Sequence, residues 1–186
     1  AVLAKQDAIE KLVSVFNDPS ISLSYGRQLP HLDAHLIGAH ARLFNYGTQS
    51  KIKSQSDIST LGIKTTFCSD SFACYRRTDL IVIGGFKRDL ILGEDAQVAA
   101  RLILSNKKIA YVADALVYHS HDYTLSEEFK RYFDIGVFGG GVVECDEIVF
   151  RKSKGPDDRC TLDTPNKTYW CYSHIWCVHC NIGGGL

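Results

Sequence analysis

Residues 93–121 read GEDAQVAARLILSNKKIAYVADALVYHSH and hold a helical pattern followed by an extended one. The helical spacing of apolar residues predicts a helix from about 94 to 105 that buries Val98, Leu102 and Ile103. The stretch 109–117 alternates enough to predict a strand, which delivers His119-Ser120-His121 at its exit. A helix that leads into a strand favours a fold in which α and β elements alternate.

The chain before this stretch continues the alternation. A first amphipathic helix is predicted by four apolar residues at helical spacing, Ile9, Leu12, Val13 and Phe16. Apolar residues that alternate with serine over 21–25 predict a short, half-buried strand. Asp33 is placed to cap a second helix, whose predicted face comprises Leu36, Ile37, His40, Leu43 and Phe44.

The middle of the chain is polar at first and then β-branched and aromatic. Residues 47–62 are mostly Ser, Gln, Lys, Thr and Asp, which predicts a long exposed loop that is either functional or disordered. The stretch 63–75 predicts a strand, and a short helix is expected near 78–83. Gly84 and Gly85 end that helix, because adjacent glycines accept the positive φ angles of a C-terminal cap.

A last helix is predicted after the two histidines. Thr124 and Glu127 form a capping box at its start. The helix is expected to run to about Phe138 and to direct three aromatic residues toward the core, Phe129, Tyr132 and Phe133.

The end of the chain differs in character from the rest. After three glycines at 139–141 the periodic pattern lapses, so we divide the chain into a domain over 1–138 and an atypical tail over 139–186, non-native or disordered. Cys177-x-x-Cys180 has the pitch of half a zinc site, but no second pair at suitable spacing completes it. Other candidate ligands in the tail are Cys160, Cys171, His174 and His179. A non-catalytic binding module with a zinc-binding Cys/His tail therefore stays open.

Composition and charge limit the classes of function. The 186 residues carry 21 Lys and Arg against 21 Asp and Glu, and the pI is near 7.2. This balance removes the simplest electrostatic case for a nucleic-acid partner. No apolar run approaches the roughly 20 residues that span a bilayer, and the first residues lack the order of a secretory signal. Seven cysteines without framework spacing favour a reducing, cytoplasmic setting. Because the chain starts at Ala1 and contains no Met, we expect a piece of a longer polypeptide.

Gly93-Glu94-Asp95 is the first pattern that carries candidate chemistry. A carboxylate in the first turn of a helix is kept ionised by the helix dipole and is available to accept a proton. Plain helix capping by acidic residues explains the same pattern. On these three residues alone both interpretations stand.

His119-x-His121 is the second pattern. Side chains at i and i+2 of an extended segment point to the same side, so both imidazoles can approach one divalent cation or one phosphate. Two ligands are too few, and a carboxylate or water must complete the site. The alternatives are two histidines that bond locally at the end of a strand, or a metal-dependent hydrolase built on His119 and His121.

Seven short motifs occur in order over residues 1–138: SYGRQLP (24–30), ARLFNY (41–46), GIKTTFCS (62–69), YRR (75–77), IGGF (83–86), LGED (92–95) and VYHSH (117–121). In combination they resemble the family 2 glycosyltransferases, and most of all the bacterial rhamnosyltransferase-type enzymes of surface-polysaccharide synthesis. The resemblance implies a GT-A fold, with a mixed sheet flanked by helices, and inverting transfer of a sugar from a nucleotide sugar.

The resemblance also implies roles for individual residues. Asp95 becomes the general base that takes the proton of an acceptor hydroxyl, and Glu94 orients the acceptor or holds Asp95. His119 or His121 helps to bind a metal or the diphosphate. The metal, Mg²⁺ or Mn²⁺, neutralises the leaving diphosphate.

Partners and completeness follow from the same resemblance. The expected partners are a nucleotide-diphosphate sugar, with rhamnose as one option, and a saccharide or lipid-linked saccharide acceptor. Peripheral association with the inner face of the plasma membrane is a further option. The nucleotide-binding half with its Asp-x-Asp motif is missing, so we expect an incomplete, acceptor-side part of the enzyme that alone binds donor and metal poorly.

Overall fold

The computed structural model describes residues 1–87, 93–121 and 123–141 as a mixed α/β structure. The strands of its sheet are β1 (Val2–Leu3), β2 (Ile21–Leu29), β3 (Lys51–Lys53), β4 (Ala73–Tyr75) and β5 (Lys108–Tyr118). The α-helices are α1 (Ala8–Ser14), α2 (Leu36–Asn45), α3 (Ile58–Leu61), α4 (Arg77–Val82), α5 (Glu94–Leu104) and α6 (Leu125–Gly141). The predicted α/β class, with a mixed sheet flanked by helices, is confirmed.

Strand β5 is the centre of the sheet. It pairs in parallel with β2 along one edge, and antiparallel with β1 and β3 at the two ends of its other edge. Strand β4 pairs antiparallel with the outer edge of β2. The register of β2 and β5 shifts between the pairs Gly26–Val112 and Arg27–Leu116, which leaves a bulge of β5 at 113–115.

Hydrophobic cores lie on both faces of the sheet, because successive strand residues point to opposite sides. Helix α5 buries Val98, Leu102 and Ile103 on one face, together with Leu23 and Ile109 of the central strands. Helix α1 buries Leu12 on the other face, against Ile21, Ala110 and Val112. The two central strands are therefore covered on both sides, and their carboxyl ends carry Gln28 and the two histidines of the site described below.

Several elements are confirmed as predicted. The helices near 9–16, 78–83, 94–105 and after Thr124 are present, as is the strand over 109–117. Gly84 and Gly85 follow α4 with φ angles of +85° and +67°. Thr124 and Glu127 exchange the hydrogen bonds of a capping box.

The prediction for the second strand and helix needs correction. Strand β2 runs on to Leu29 and is buried rather than half-buried, because α1 and α5 cover its two faces. Helix α2 begins at Leu36, and its N-cap residue is His35 rather than Asp33. The start of α2 has no side-chain capping hydrogen bond. Most of its apolar residues lie at the surface, and Leu36 is 88% exposed.

The prediction of a long exposed loop over 47–62 is wrong. Lys51–Lys53 pairs with β5, and Ser54 and Asp57 form a capping box before α3. The prediction of one strand over 63–75 is also wrong, because 3₁₀ turns occupy Gly62–Thr66 and Asp70–Phe72 and leave only β4 extended. Side-chain bonds to the local backbone, such as Thr66 Oγ1 to Ile63 O at 2.9 Å, stabilise these turns.

The predicted core face of the last helix is wrong where it is described. Phe129 and Phe133 are 73% and 64% exposed, whereas the neighbouring Glu128 is buried. The side chain of Tyr132 and the Cys/Trp/His tail lie outside the described residues. Among the described helices, none combines the length and the apolar character that crossing a bilayer requires.

Candidate active site

Helix α5 places Asp95 at one edge of the site. The helix follows Gly93, whose φ of +79° is a left-handed value that favours glycine. Glu94 and Asp95 occupy the first turn, where the helix dipole favours negative charge. Glu94 is exposed and Asp95 is partly buried, so the two adjacent carboxylates point to different surroundings.

The backbone of its own helix holds the Asp95 carboxylate, whose Oδ1 accepts a hydrogen bond from the Ala96 N–H at 2.7 Å. Burial raises the pKa of Asp95 from 3.8 to about 6, and the charges of Asp70 and Glu94 add to the increase, while the backbone N–H groups of Ala96 and Asp70 oppose it. At pH 7 the group is therefore largely ionised yet more basic than an ordinary aspartate.

Asp70 lies beside Asp95 and has a donor of its own. The hydroxyl of Tyr75 donates a hydrogen bond to Asp70 Oδ1. Burial raises the pKa of Asp70, the Tyr75 bond lowers it, and Glu94 raises it further. Burial also raises the pKa of Tyr75, so the phenol stays protonated and remains a donor. Asp70, Tyr75, Glu94 and Asp95 together are called the carboxylate side.

Asp70 belongs to residues 67–72, which we call the bridging segment. Its start is held by buried Lys53, whose Nζ donates to the carbonyl oxygens of Phe67 and, at 3.4 Å, of Lys64. At its end, the Phe72 ring packs directly on Gly26, which has no side chain. A Cβ added to Gly26 would lie 2.3 Å from the Phe72 ring and 2.6 Å from the carbonyl oxygen of Ala115. The segment is therefore fixed at both ends.

Lys53 is an unusual anchor for that segment, because it is a buried cation. Its Nζ lies 5.1 Å from the centroid of the Tyr25 ring and 5.9 Å from that of Phe67, within the range of cation–π attraction. Burial lowers the pKa of Lys53 to about 8. Carbonyl oxygens and aromatic faces thus take the place of water around the ammonium group.

A chain of hydrogen bonds leads from α2 through the bridging segment to the end of β5. Arg42 Nη1 donates to Gln28 Oε1 at 2.7 Å, and Gln28 Nε2 donates to Ser69 Oγ at 2.9 Å. The Ser69 hydroxyl bonds to Ser71 Oγ at 3.3 Å, which lies 3.1 Å from His119 Nε2. Gln28, Arg42, His119 and His121 are called the imidazole side.

The two histidines lie together, as their spacing predicts. Their ring centroids are 4.6 Å apart in an edge-to-face arrangement, and His121 stacks on Tyr123 at 5.1 Å. Burial lowers the pKa of His119 to about 4, and the nearby His121 and Arg42 lower it further. Burial and Arg42 lower the pKa of His121 as well. Both rings are therefore neutral at pH 7.

The residues present do not form a metal site by themselves. Among the described residues, no group of three or more His, Cys, Asp and Glu side chains is arranged to hold a metal ion. His119 Nε2 already faces Ser71, and two imidazoles without a carboxylate are a poor donor set for Mg²⁺ or Mn²⁺, which prefer oxygen ligands. We therefore derive no step through a metal, and the hydrolase interpretation has no ligand set in this part of the chain.

The bridging segment connects the residues that the sequence singled out. The charge of Asp70 raises the pKa of Asp95, and Ser71 Oγ lies 3.1 Å from His119 Nε2, so the acidic pair and the two histidines are near the same short segment. The sequence interpretation missed Asp70, Gln28 and Arg42 as site residues. Gln28 and Arg42 lie in the quoted motifs at 24–30 and 41–46, but nothing local in the sequence shows that they bond to each other.

The sequence is similar to those of two curated proteins. It is 53% identical over 138 residues to the O-antigen chain rhamnosyltransferase WbaN of Salmonella anatum. It is 54% identical over 138 residues to the O-antigen chain rhamnosyltransferase RfbN of Salmonella typhimurium. No protein-family model matches the sequence. The likeness confirms the predicted resemblance to bacterial rhamnosyltransferase-type enzymes.

The extent of these matches limits what they show. Each match covers 74% of this chain and 44% of the relative, so the chain spans less than half the length of either rhamnosyltransferase. The activity, substrates and partners of a whole protein are therefore taken up as proposals.

Proposed function

We propose that this chain is part of a glycosyltransferase that moves rhamnose from a nucleotide sugar to a saccharide acceptor during O-antigen synthesis. Its support is the similarity to two proteins named as O-antigen chain rhamnosyltransferases. The proposal includes a GT-A fold, in which the described residues form the acceptor side. It also includes a cytoplasmic location, with a lipid-linked acceptor drawing the enzyme to the inner membrane face.

The observation that carries the mechanism is the state of Asp95. It lies in the first turn of α5, its carboxylate accepts the Ala96 N–H, and burial raises its pKa to about 6. A general base works best when its pKa is close to the working pH while most of it is ionised. Asp95 meets both conditions at neutral pH, and plain capping of the helix is compatible with that role.

Inverting transfer then needs one base, which takes the proton from the hydroxyl of the saccharide acceptor. The acceptor hydroxyl gives its proton to the Asp95 carboxylate while its oxygen forms a bond to the anomeric carbon. The bond from that carbon to the nucleoside diphosphate breaks on the opposite face, and the electron pair leaves with the diphosphate. Glu94, which is exposed next to Asp95 in the sequence, then orients the acceptor by hydrogen bonds to its hydroxyls.

The imidazole side suits a role in binding rather than in proton transfer. His119 and His121 are neutral at pH 7, so they offer N–H donors without positive charge. Half-buried Arg42 supplies a fixed positive charge next to them. These groups are candidates to hydrogen-bond the diphosphate of the donor.

The experiment compares Asp95→Asn with Asp114→Asn in the protein expressed from its full coding sequence. Asn keeps the size of Asp95 and an oxygen that accepts the Ala96 N–H, but it cannot take up the proton. We expect transfer from a nucleoside-diphosphate rhamnose to fall by about 10² to 10⁴-fold, the usual contribution of a general base, with donor binding unchanged. Asp114 is an exposed carboxylate on the β5 bulge, and its substitution should leave turnover unchanged.

Turnover and donor binding are measured separately, the first by transfer of labelled sugar and the second by calorimetry. Retained turnover in Asp95→Asn would remove the residue from the role of base. Absence of sugar transfer in the unsubstituted protein, with nucleoside-diphosphate rhamnose and a range of saccharide acceptors, would contradict the proposed activity itself.

A further inference from the structure

Phe86 is an exposed aromatic residue that the proposed reaction does not use. It follows α4 and the two glycines with positive φ angles, Gly84 and Gly85, in the IGGF motif at 83–86. The residue is 41% exposed. Single exposed apolar residues are common on protein surfaces, so what sets Phe86 apart is the way in which it is held.

Helix α5 holds the turn that carries Phe86. Arg101 Nη1 donates a hydrogen bond to Ile83 O at 2.6 Å. Arg101 Nη2 donates to Gly85 O at 2.5 Å and to Gln97 Oε1 at 3.2 Å. These bonds have a charged donor, which makes them stronger than bonds between neutral groups. The backbone just before Phe86 is therefore fixed to the helix whose first turn carries the candidate base.

The turn lies on a particular face of α5. Arg101 and Gln97 share that face with Glu94, because residues that are three, four or seven positions apart lie on the same side of a helix. Glu94 is the exposed carboxylate that orients the acceptor in the proposed reaction. The turn with Phe86 and Glu94 are therefore on the same side of α5.

The ring of Phe86 also contacts the carboxylate side. Its centroid lies 5.4 Å from that of Tyr75, at an interplanar angle of 79°. Such an edge-to-face contact leaves at least one face of the Phe86 ring uncovered by Tyr75. The Tyr75 hydroxyl donates to Asp70 Oδ1, and Asp70 is itself exposed. One tyrosine thus joins an exposed aromatic ring to an exposed carboxylate.

An aromatic ring beside a carboxylate matches the chemistry of a sugar. The C–H groups on one face of a pyranose ring carry partial positive charge, and the face of an aromatic ring is negative. Sugar hydroxyls donate hydrogen bonds, and the two oxygens of Asp70 can accept more of them than the one from Tyr75. A diphosphate is a poor match, because a carboxylate repels it.

We propose that Phe86 and Asp70 form a subsite for one sugar ring of the saccharide acceptor, with Phe86 stacked on a face of the ring and Asp70 accepting hydrogen bonds from its hydroxyls. Arg101 and Tyr75 are positioning residues, because they hold these two groups and do not touch the sugar. The inference rests on the proposed function, since it places the acceptor of that reaction.

The test is an NMR titration of the full 186-residue chain, carbon-13-labelled on phenylalanine, with the methyl glycosides of glucose, galactose, mannose and rhamnose as separate probes. The Phe86 signals are assigned with Phe86→Leu. We expect at least one glycoside to shift the Phe86 ring signals with saturation. Phe86→Leu and Asp70→Asn should each weaken that binding by about threefold to tenfold, as followed on the sugar signals.

Phe133→Leu is the matched control for loss of an exposed ring. Phe133 is 64% exposed on α6, and we expect its substitution to leave the binding unchanged. Phe86→Tyr keeps the aromatic ring and should bind as the unsubstituted chain does. Phe86 signals that none of the four glycosides moves, up to about 100 mM, overturn the subsite. Binding that Phe86→Leu leaves unchanged overturns it as well.

Arg101→Lys tests the positioning of the ring. Lys keeps the charge but lacks the planar fork that donates to two carbonyl oxygens at once. We expect the Phe86 signals to move without sugar and the binding to weaken, while thermal unfolding shows that the chain still folds. Unmoved signals and unchanged binding would remove Arg101 from that role.

Kinetics of the protein expressed from its full coding sequence separate the subsite from the proposed function. Phe86→Leu should raise KM for the acceptor by the same factor and leave KM for the donor unchanged. If glycosides bind at Phe86 but the full-length protein transfers no sugar, the subsite stands and the proposed function fails. If sugar is transferred and KM for the acceptor is the same in Phe86→Leu, the function stands and the subsite fails.

Discussion

The two sides of the bridging segment bury ionisable groups in opposite ways. On the carboxylate side, burial and neighbouring negative charges raise the pKa of Asp95 to about 6. On the imidazole side, burial and neighbouring positive charge lower the pKa of His119 to about 4. In each case the neighbours have the same sign as the buried group, so they reinforce the effect of burial.

The two sides differ in charge at neutral pH, because Asp95 is ionised and His119 is neutral. At pH 7 Asp95 carries its charge against an opposing environment, whereas His119 has given up its charge and stays neutral. A group that keeps an unfavourable charge is poised to take up a proton. A group that is already neutral has no such drive, and its place in a hydrogen-bonded chain to Arg42 suits binding and support.

The largest effect is expected from a change that disturbs both sides at once. Gly26→Ala places a methyl group 2.3 Å from the Phe72 ring and 2.6 Å from the Ala115 carbonyl oxygen, which forces the bridging segment off β2. We expect the free energy of unfolding to fall by about 3 kcal/mol. Gly47→Ala is the control, because nothing lies within 4 Å of its added Cβ, and it should change stability by less than about 0.5 kcal/mol. Urea unfolding at pH 7 measures both, and equal effects would show that the close approach at Gly26 is unimportant.

The next effect is confined to the imidazole side. Gln28 is buried and joins Arg42 to Ser69, so Gln28→Leu leaves a guanidinium and a hydroxyl without their partner. We expect a loss of about 2 kcal/mol in the free energy of unfolding. Gln28→Glu keeps the acceptor for Arg42 and should cost less. Equal stability of Gln28→Leu and the unsubstituted chain would mean that the chain of hydrogen bonds does not support the site.

On the carboxylate side we expect a smaller effect on the free energy of unfolding, and it is a gain rather than a loss. Because the pKa of Asp95 is raised on folding, the folded state binds more protons between about pH 4 and pH 6, and the stability this group contributes is lost as pH rises through 6. Above pH 6 the folded state must bury an ionised Asp95, which is unfavourable, and Asp95→Asn removes this buried charge. We therefore expect the substitution to raise the free energy of unfolding by about 1 to 2 kcal/mol. At pH 4 the variant and the unsubstituted chain should be nearly equal. A loss of stability at pH 7 would contradict the buried-charge description of Asp95.

The smallest effect is the pH dependence of the imidazole side. The pKa of His119 is lowered on folding, so its contribution to stability is complete above pH 6.5 and is lost as pH falls toward 4. His119→Gln retains an amide group for Ser71 but does not titrate. We expect the variant to lose less stability than the unsubstituted chain between pH 6.5 and pH 4, measured by thermal melts across that range. Parallel pH curves would show that His119 is not desolvated.

Sequence reasoning predicted well those elements whose apolar residues have a regular spacing within the element itself. Helix α5 carries a clear period, which selects the buried Val98, Leu102 and Ile103. Strand β5 lies where its apolar residues predict a strand, although it is buried on both faces rather than one. The same reasoning failed on the apolar faces of α2 and α6, because periodicity shows that a helix has an apolar face and not which neighbour covers it.

Strand β3 and the bridging segment were missed for a different reason. Lys53 looks like a solvent-exposed residue in the sequence, yet carbonyl oxygens and aromatic rings replace its water in the fold. Residues 67–72 lie within a stretch, 63–75, whose overall composition predicts a strand, but the Phe72 ring packs closely on Gly26 and the Ser69 hydroxyl bonds to Ser71, and the segment turns instead. Asp95 and the two histidines are visible as motifs, whereas Asp70 becomes part of the site only when the start of α5 meets the segment.

The central position of β5 has a consequence for how the molecule is made. Strands β1, β2 and β3 all pair with β5, and all of them are synthesised before it. Until residue 118 has emerged from the ribosome, β2 lacks its parallel neighbour and exposes apolar residues that are buried in the finished sheet. Completion of the described sheet therefore depends on β5, and a nascent chain that stops before β5 exposes apolar surface that chaperones bind.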